Sequence, residues 1–240
     1  MDYSVRRSRR ARHVWLRLAG SDELVVTVPQ RFDVRRVPGI IESNREWIRR
    51  TVERLASRRS PETAPVAVAL PRCISLSAAG RDWAVEYRET NSRRVAVVER
   101  TGSCLLVSGA VSDHEACRRA LLRWLRRTAR AYLSQLLLDL AAERGFAQPR
   151  VMVRSQRTRW ASCSRGGTIS LNLRLLFVAP ALMRHVMLHE LCHLTRMDHS
   201  KAFWTLLERH DPDWREHRRM LRAAWSSVPD WVTSPIPSHP

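Results

Sequence analysis

Lysine is almost missing: Lys201 is the only one among 42 basic residues, and the rest are arginine. The net charge of +19 would ordinarily point to nucleic acid. An arginine skew of this kind reflects GC-rich codon usage more often than a binding surface, and these arginines are spread along the chain. The densest group, "RRSRRAR" at 6–12, is the stretch best placed to touch phosphates, so nucleic acid stays open as a partner. Long apolar runs are also missing. No stretch of 18 or more apolar residues exists, which excludes a membrane-spanning helix by pattern. The N-terminal charges are not followed by an apolar segment of the secretory kind, so the expected location is the cytoplasm. Cysteine is sparse and irregular. Cys73, Cys104, Cys117, Cys163 and Cys192 are odd in number and form no C-x-x-C pair. That argues against a disulfide framework and a cysteine metal cage, and predicts small buried hydrophobes. No P-loop and no carboxylate cluster suited to magnesium is found, which weakens a nucleotide-hydrolysing reading.

The hydrophobic fraction of 44% supports a sizeable core. Residues 13–18 and 24–28 read as strands joined by "AGSD" into a hairpin. Val37, Ile40, Ile41, Asn44, Trp47, Ile48, Val52 and Leu55 recur at helical spacing, and "SRRSPETAP" at 57–65 reads as a loop. Alternation around Trp83, Val85 and Tyr87, then Val95 and Val97, then Leu105 and Val107, predicts an antiparallel meander of three or four strands. Ser112 and Glu115 have capping-box spacing ahead of a long helix over about 113–144. Strands are expected at 150–154 and 168–173, and "RGG" at 165–167 as a turn between strands. Pro180 opens a further helix, and a last helical region covers about 200–225. The tail at 226–240 reads as loose.

The chemistry concentrates in "HELCHLTRMDHS" at 189–200. His189 and His193 at i and i+4 share a helix face, so both imidazoles can meet one ion. Glu190 points about 100° round the helix, badly placed as a ligand and well placed to reach a metal-activated water. Chance gives roughly 0.02 such H-E-x-x-H matches in this length. A catalytic zinc takes three protein ligands and keeps one position open. His185 is excluded by about 12 Å of helix rise from His193. His199 is favoured as the third ligand, because "TRMD" lets the chain turn back, with Ser200 or Asp198 capping the next helix. Glu216 is the rival, while His210 and His217 are expected at the surface. With such a set Glu190 would take the proton of the attacking water and return it to the leaving amine, which is peptide-bond hydrolysis. Arg159 is a weaker candidate for the oxyanion. The strand around 168–173, which carries Asn172, is a candidate edge for pairing with an extended substrate.

The ordered set "RWASCS", "GTISLNLRLL", "HELCHL" and "HSKAFW" resembles the YgjP-like metallopeptidase family, a relative of the SprT-like zinc peptidases. The resemblance implies a single zinc ion held by His189, His193 and His199, Glu190 as catalytic acid/base, and a peptide or protein substrate. It also implies an α+β fold, in which an N-terminal β-hairpin, helix and meander (1–110) pack on a zincin-like helical metallopeptidase core (111–225). Ala161 and Leu173 depart from the family's glycine and tryptophan, and neither is a ligand position. Two other functions fit the same residues: hydrolysis of nucleotide phosphoanhydrides, and a DNA-associated peptidase of the SprT-like kind. Sequence does not set the oligomeric state.

Overall fold

The computed structural model describes residues 2–9, 11, 13–19, 23–56 and 68–234. The chain forms two compact units, Met1–Val66 and Ala67–Pro240.

In the first unit β2 (Trp15–Ala19) and β3 (Glu23–Pro29) pair antiparallel, as the alternation predicts. The turn between them, 20–22, lies outside the described residues. A strand the sequence did not signal, β1 (Asp2–Ser8), runs parallel to β3 on its other edge. Its charged sequence offers only Val5 to the core, so no apolar alternation marks it. Leu24, Val26 and Val28 point to one face of β3 and bury against Val37 and Ile48 of the helices α1 (Val37–Ser43) and α2 (Arg45–Ala56). The loop expected at 57–65 lies outside the described residues.

The second unit opens with β4 (Cys73–Leu76), β5 (Arg81–Glu89), β6 (Ala96–Arg100) and β7 (Cys104–Gly109). β5, β6 and β7 are the expected strands, β4 is one that the alternation did not place, and their order is unexpected. The sheet runs β4-β5-β7-β6, and β5 is parallel to β7. A meander would have kept chain order, but here the β6–β7 hairpin turns so that β7 slots beside β5. Gly109, at φ +128°, permits the crossing: a Cβ there would lie 2.2 Å from the Arg94 carbonyl oxygen.

The inner face of this sheet, Ile74, Leu76, Trp83, Val85, Leu105 and Val107, belongs to one core with Leu121, Leu125 and Leu133 of α3 (His114–Glu143). Trp83 meets Trp124 edge to face at 5.4 Å. The boundary expected at 110 therefore falls inside a single core, because the sheet buries its apolar face on the helix that follows it. The cap of α3 is Asp113, whose carboxylate accepts from Ala116 N at 2.8 Å, rather than Ser112.

A second sheet, ordered β8-β10-β9, joins β8 (Arg150–Arg154), β9 (Ala161–Cys163) and β10 (Thr168–Asn172). It is followed by α4 (Pro180–Cys192), α5 (Lys201–His210), α6 (Trp214–Ala223) and the short α7 (Asp230–Thr233). The tail is not loose as far as Ser234. Val228, Trp231 and Val232 are buried, and buried Arg118 donates to the carbonyls of Trp231 and Ser234. Three apolar side chains outweigh the prolines there; 235–240 lie outside the described residues. No described helix is long and apolar enough to cross a membrane. Of the five cysteines, which are all free, only Cys117 and Cys192 are buried; Cys73 is exposed on the outer face of β4.

Candidate metal centre

Helix α4 is buried nearly all round by Leu182, Met183, Val186, Met187, Leu188 and Leu191. Its fixed position fixes the two histidines of its last turn. His189 lies on the helix and His193 is its C-terminal cap, still in helical conformation. The chain then turns through 194–200 and brings His199 back. Ser200 takes the N-cap position of α5, but its hydroxyl bonds Asp198 and does not cap the helix.

The structure brings His189, His193 and His199 together. One ligand nitrogen from each lies within 4.8 Å of the others. His189 Nε2 and His199 Nε2 are 3.2 Å apart. Two nitrogens of a tetrahedral zinc site stand about 3.3 Å apart, given bonds of about 2.05 Å, so the spacing fits that ion. His193 Nδ1 donates to the Arg196 carbonyl at 2.9 Å, which leaves its Nε2 with the lone pair. Phe203, fully buried, floors the cluster with its ring 4.5–4.9 Å from all three imidazoles. Burial, then the neighbouring His193 and His199, pushes His189 down to about 3. His199 is also pushed down, again mainly by burial. Neutral imidazoles are the form a cation needs.

Glu190 is buried and faces β9. Burial pushes its carboxyl up to about 7, against a backbone N–H of Cys163 and the charge of Arg159, which both pull it down. A cation in the histidine cluster would draw it down further. With His189, it lines a cleft whose other walls include Trp160, Ala161, His185 and Arg218.

Other expectations fare differently. Glu216 is exposed and paired with Arg219, away from the cluster. His217 is half-buried, not a surface residue. Its Nδ1 bonds Asp211, and the same carboxylate bonds His185. The sequence reading missed this His185–Asp211–His217 cluster. Its signal was His185 standing one turn before His189 on the same face. His210 is also half-buried, its ring against Phe146. Strand β10 is central in its sheet, so the edge beside the cleft is β9, which is too short to show alternation. Asn172 is fully buried. Its amide donates to the carbonyls of Gln156 and Arg159, and its oxygen accepts from Arg174 N, which leaves nothing for a substrate. Arg159 is exposed, on the loop Asn172 holds.

The sequence profile of the YgjP-like metallopeptidase domain matches residues 12–224. The chain belongs to the YgjP-like metallopeptidase family. That membership makes a metal-dependent peptidase, a hydrolase, the activity class of the chain. Among solved structures, the metallopeptidase zymogen of Pyrococcus abyssi abylysin is similar at a TM-score of 0.36 and 26% identity, over 39% of this chain and 95% of that one. No curated protein matches the chain.

Proposed function

We propose that the chain is a zinc peptidase in which His189, His193 and His199 hold one ion and Glu190 is the general base and acid. The observation that carries this reading is the convergence of three imidazoles beside a buried carboxyl. The core around them is then zincin-like in arrangement: a histidine-bearing helix flanked by a sheet edge. A zinc ion held there would supply Lewis acidity to a water and to the substrate carbonyl.

The rest is done by this chain's own groups. Glu190 accepts a proton from the attacking water and passes it to the leaving amine, a task suited to a carboxyl lifted toward neutrality. Its bond from the Cys163 N–H fixes it against β9. Strand β9 offers the sheet edge along which an extended peptide can add as a further strand, with Ala161 already in the cleft wall. Arg159, near enough to Glu190 for its charge to be felt, is the cation on that side for a developing oxyanion.

The test is zinc analysis of the purified protein together with hydrolysis of a mixed peptide library and a nucleotide panel, for wild type and Glu190→Gln. The expected result is one zinc per chain in both proteins and peptide cleavage in wild type alone. Cleavage that survives the substitution removes Glu190 from the mechanism. Nucleotide turnover without peptide turnover replaces the peptidase reading.

A further inference from the structure

A second cavity, of ≈250 Å³, opens on the side of α3. Three arginines from three different elements line it: Arg126 of α3, Arg157 of the loop before β9, and Arg174 of the 3-10 helix Leu173–Phe177 that follows β10. Among the described residues no aspartate or glutamate lines it, and Ser155, Thr233 and Ser234 complete the wall. None of the three arginines makes an ion pair with any described residue.

Arg174 is the unusual member. It is only 5% exposed, its guanidinium lies 5.7 Å from the Trp225 ring, and Nη1 donates to the Gln156 carbonyl at 2.7 Å. Its Nε is buried with no acceptor among the described residues. A buried cation with an unanswered donor is costly, and two further cations at the same wall raise the cost. Burial first, and then the charge of Arg157, presses Arg174 below the ordinary arginine range. An anion relieves all of this together.

We propose that this cavity is a binding site for a phosphate group. A carboxylate is planar, carries one charge and is met by one or two guanidinium groups in its plane. Three arginines from separate elements around one cavity, with Ser155, Thr233 and Ser234 in the same wall, suit a tetrahedral dianion whose oxygens point in several directions. The phosphate can belong to a small phosphorylated molecule or to a nucleic-acid strand, and the recognising chemistry is the same.

Isothermal titration of the full chain with inorganic phosphate tests this, with and without a chelator so that binding at the histidine cluster is separated out. Wild type is expected to bind saturably in both conditions. Arg126→Ala with Arg157→Ala should weaken binding by about tenfold or more. Arg127→Ala with Arg130→Ala removes as much charge from exposed positions outside the cavity, and should leave binding within about twofold. The buried Arg174 is left intact so that folding is not at stake. No saturable binding to wild type, or an equal loss in the Arg127/Arg130 variant, overturns the proposal. Titration with 5′-AMP and with a short single-stranded oligothymidylate then assigns the source. Tighter binding of AMP than of inorganic phosphate points to a small molecule. Oligothymidylate binding whose salt dependence flattens in the Arg126/Arg157 variant points to a strand.

Discussion

His185 Nδ1 lies 2.5 Å from Asp211 Oδ2, and the same carboxylate takes His217 Nδ1 at 2.9 Å. One buried aspartate thus ties α4 to α6, from the turn of α4 just before the histidine cluster. Both imidazoles lose their partner if it is removed. Asp211→Ala should cost roughly 2–3 kcal/mol, since buried donors are left without acceptors. For a unit of this size that lowers the melting temperature by about 4–10 °C. Zinc content at saturating metal should stay at the wild-type level, because no expected ligand changes. Calorimetry with metal analysis checks both, and loss of metal with an unchanged melting temperature would place Asp211 in the ion's own shell.

His199 and Glu216 competed in the sequence as third ligand, and they now sit apart. His199 Nε2 is 3.2 Å from His189 Nε2, whereas Glu216 is exposed on the Arg219 ion pair. His199→Ala should weaken zinc binding by more than about a hundredfold, beyond what loss of an outer-sphere partner does. Glu216→Ala should leave it unchanged. Competition against a chromogenic chelator reads both, and the reverse ranking would overturn the proposed ligand set.

Glu190 carries opposite consequences for activity and for stability. Glu190→Gln should reduce turnover by about 10²–10⁴, the range for loss of a general acid–base group. In metal-stripped protein the same change should stabilise. The folded carboxyl titrates near 7, above its usual 4.5. The folded state therefore holds the proton more tightly between those values, and that contribution is lost as pH rises through about 7. Chelated wild type and Glu190→Gln should melt alike near pH 4, below the unfolded value. At pH 8 the variant should gain up to roughly 3 kcal/mol. Equal melting at pH 8 would mean the carboxylate is well solvated and not buried as described.

The cluster of histidines was legible because i, i+4 spacing is a local rule, and the return of His199 needed only one turn of chain. The sheet around β5 was legible strand by strand, through alternation at Trp83 and Val85, but not in its order. Nothing local in 95–107 says that β7 should lie between β5 and β6. Strand β9 was missed because three residues are too few for alternation to register. Asp211 was missed because its meaning depends on two histidines on other elements. The burial of Asn172 is likewise a tertiary fact: the residue lies in a strand, and sequence does not say which edge of that strand is covered.

At the start of α3, two readings of the cap differ by one residue. The structure puts the bond on Asp113, to Ala116 N, while the Ser112 backbone N–H donates to Glu89. Asp113→Ala should therefore cost about 1 kcal/mol, and Ser112→Ala almost nothing. Chemical denaturation resolves the difference, and a larger effect at Ser112 would restore the capping box.

Asn172 makes three hydrogen bonds, to Gln156 O, Arg159 O and Arg174 N, and none points to the cleft. The loop it holds carries Arg159 and leads to Trp160, which stacks on Trp225 at 4.0 Å and also walls the cleft. Removing the amide leaves the Arg159 carbonyl without its donor and the Arg174 N–H without its acceptor, and the Gln156 carbonyl with Arg174 Nη1 alone. Asn172→Ala should cost roughly 2–3 kcal/mol in stability, and the loosened loop should lower kcat while zinc affinity stays unchanged. Asn172→Asp should not rescue it, because a carboxylate accepts and cannot donate to the two carbonyls. Had Asn172 been a substrate contact instead, its loss would raise KM and leave the melting temperature near that of wild type. Steady-state kinetics beside a melting curve separates the two roles.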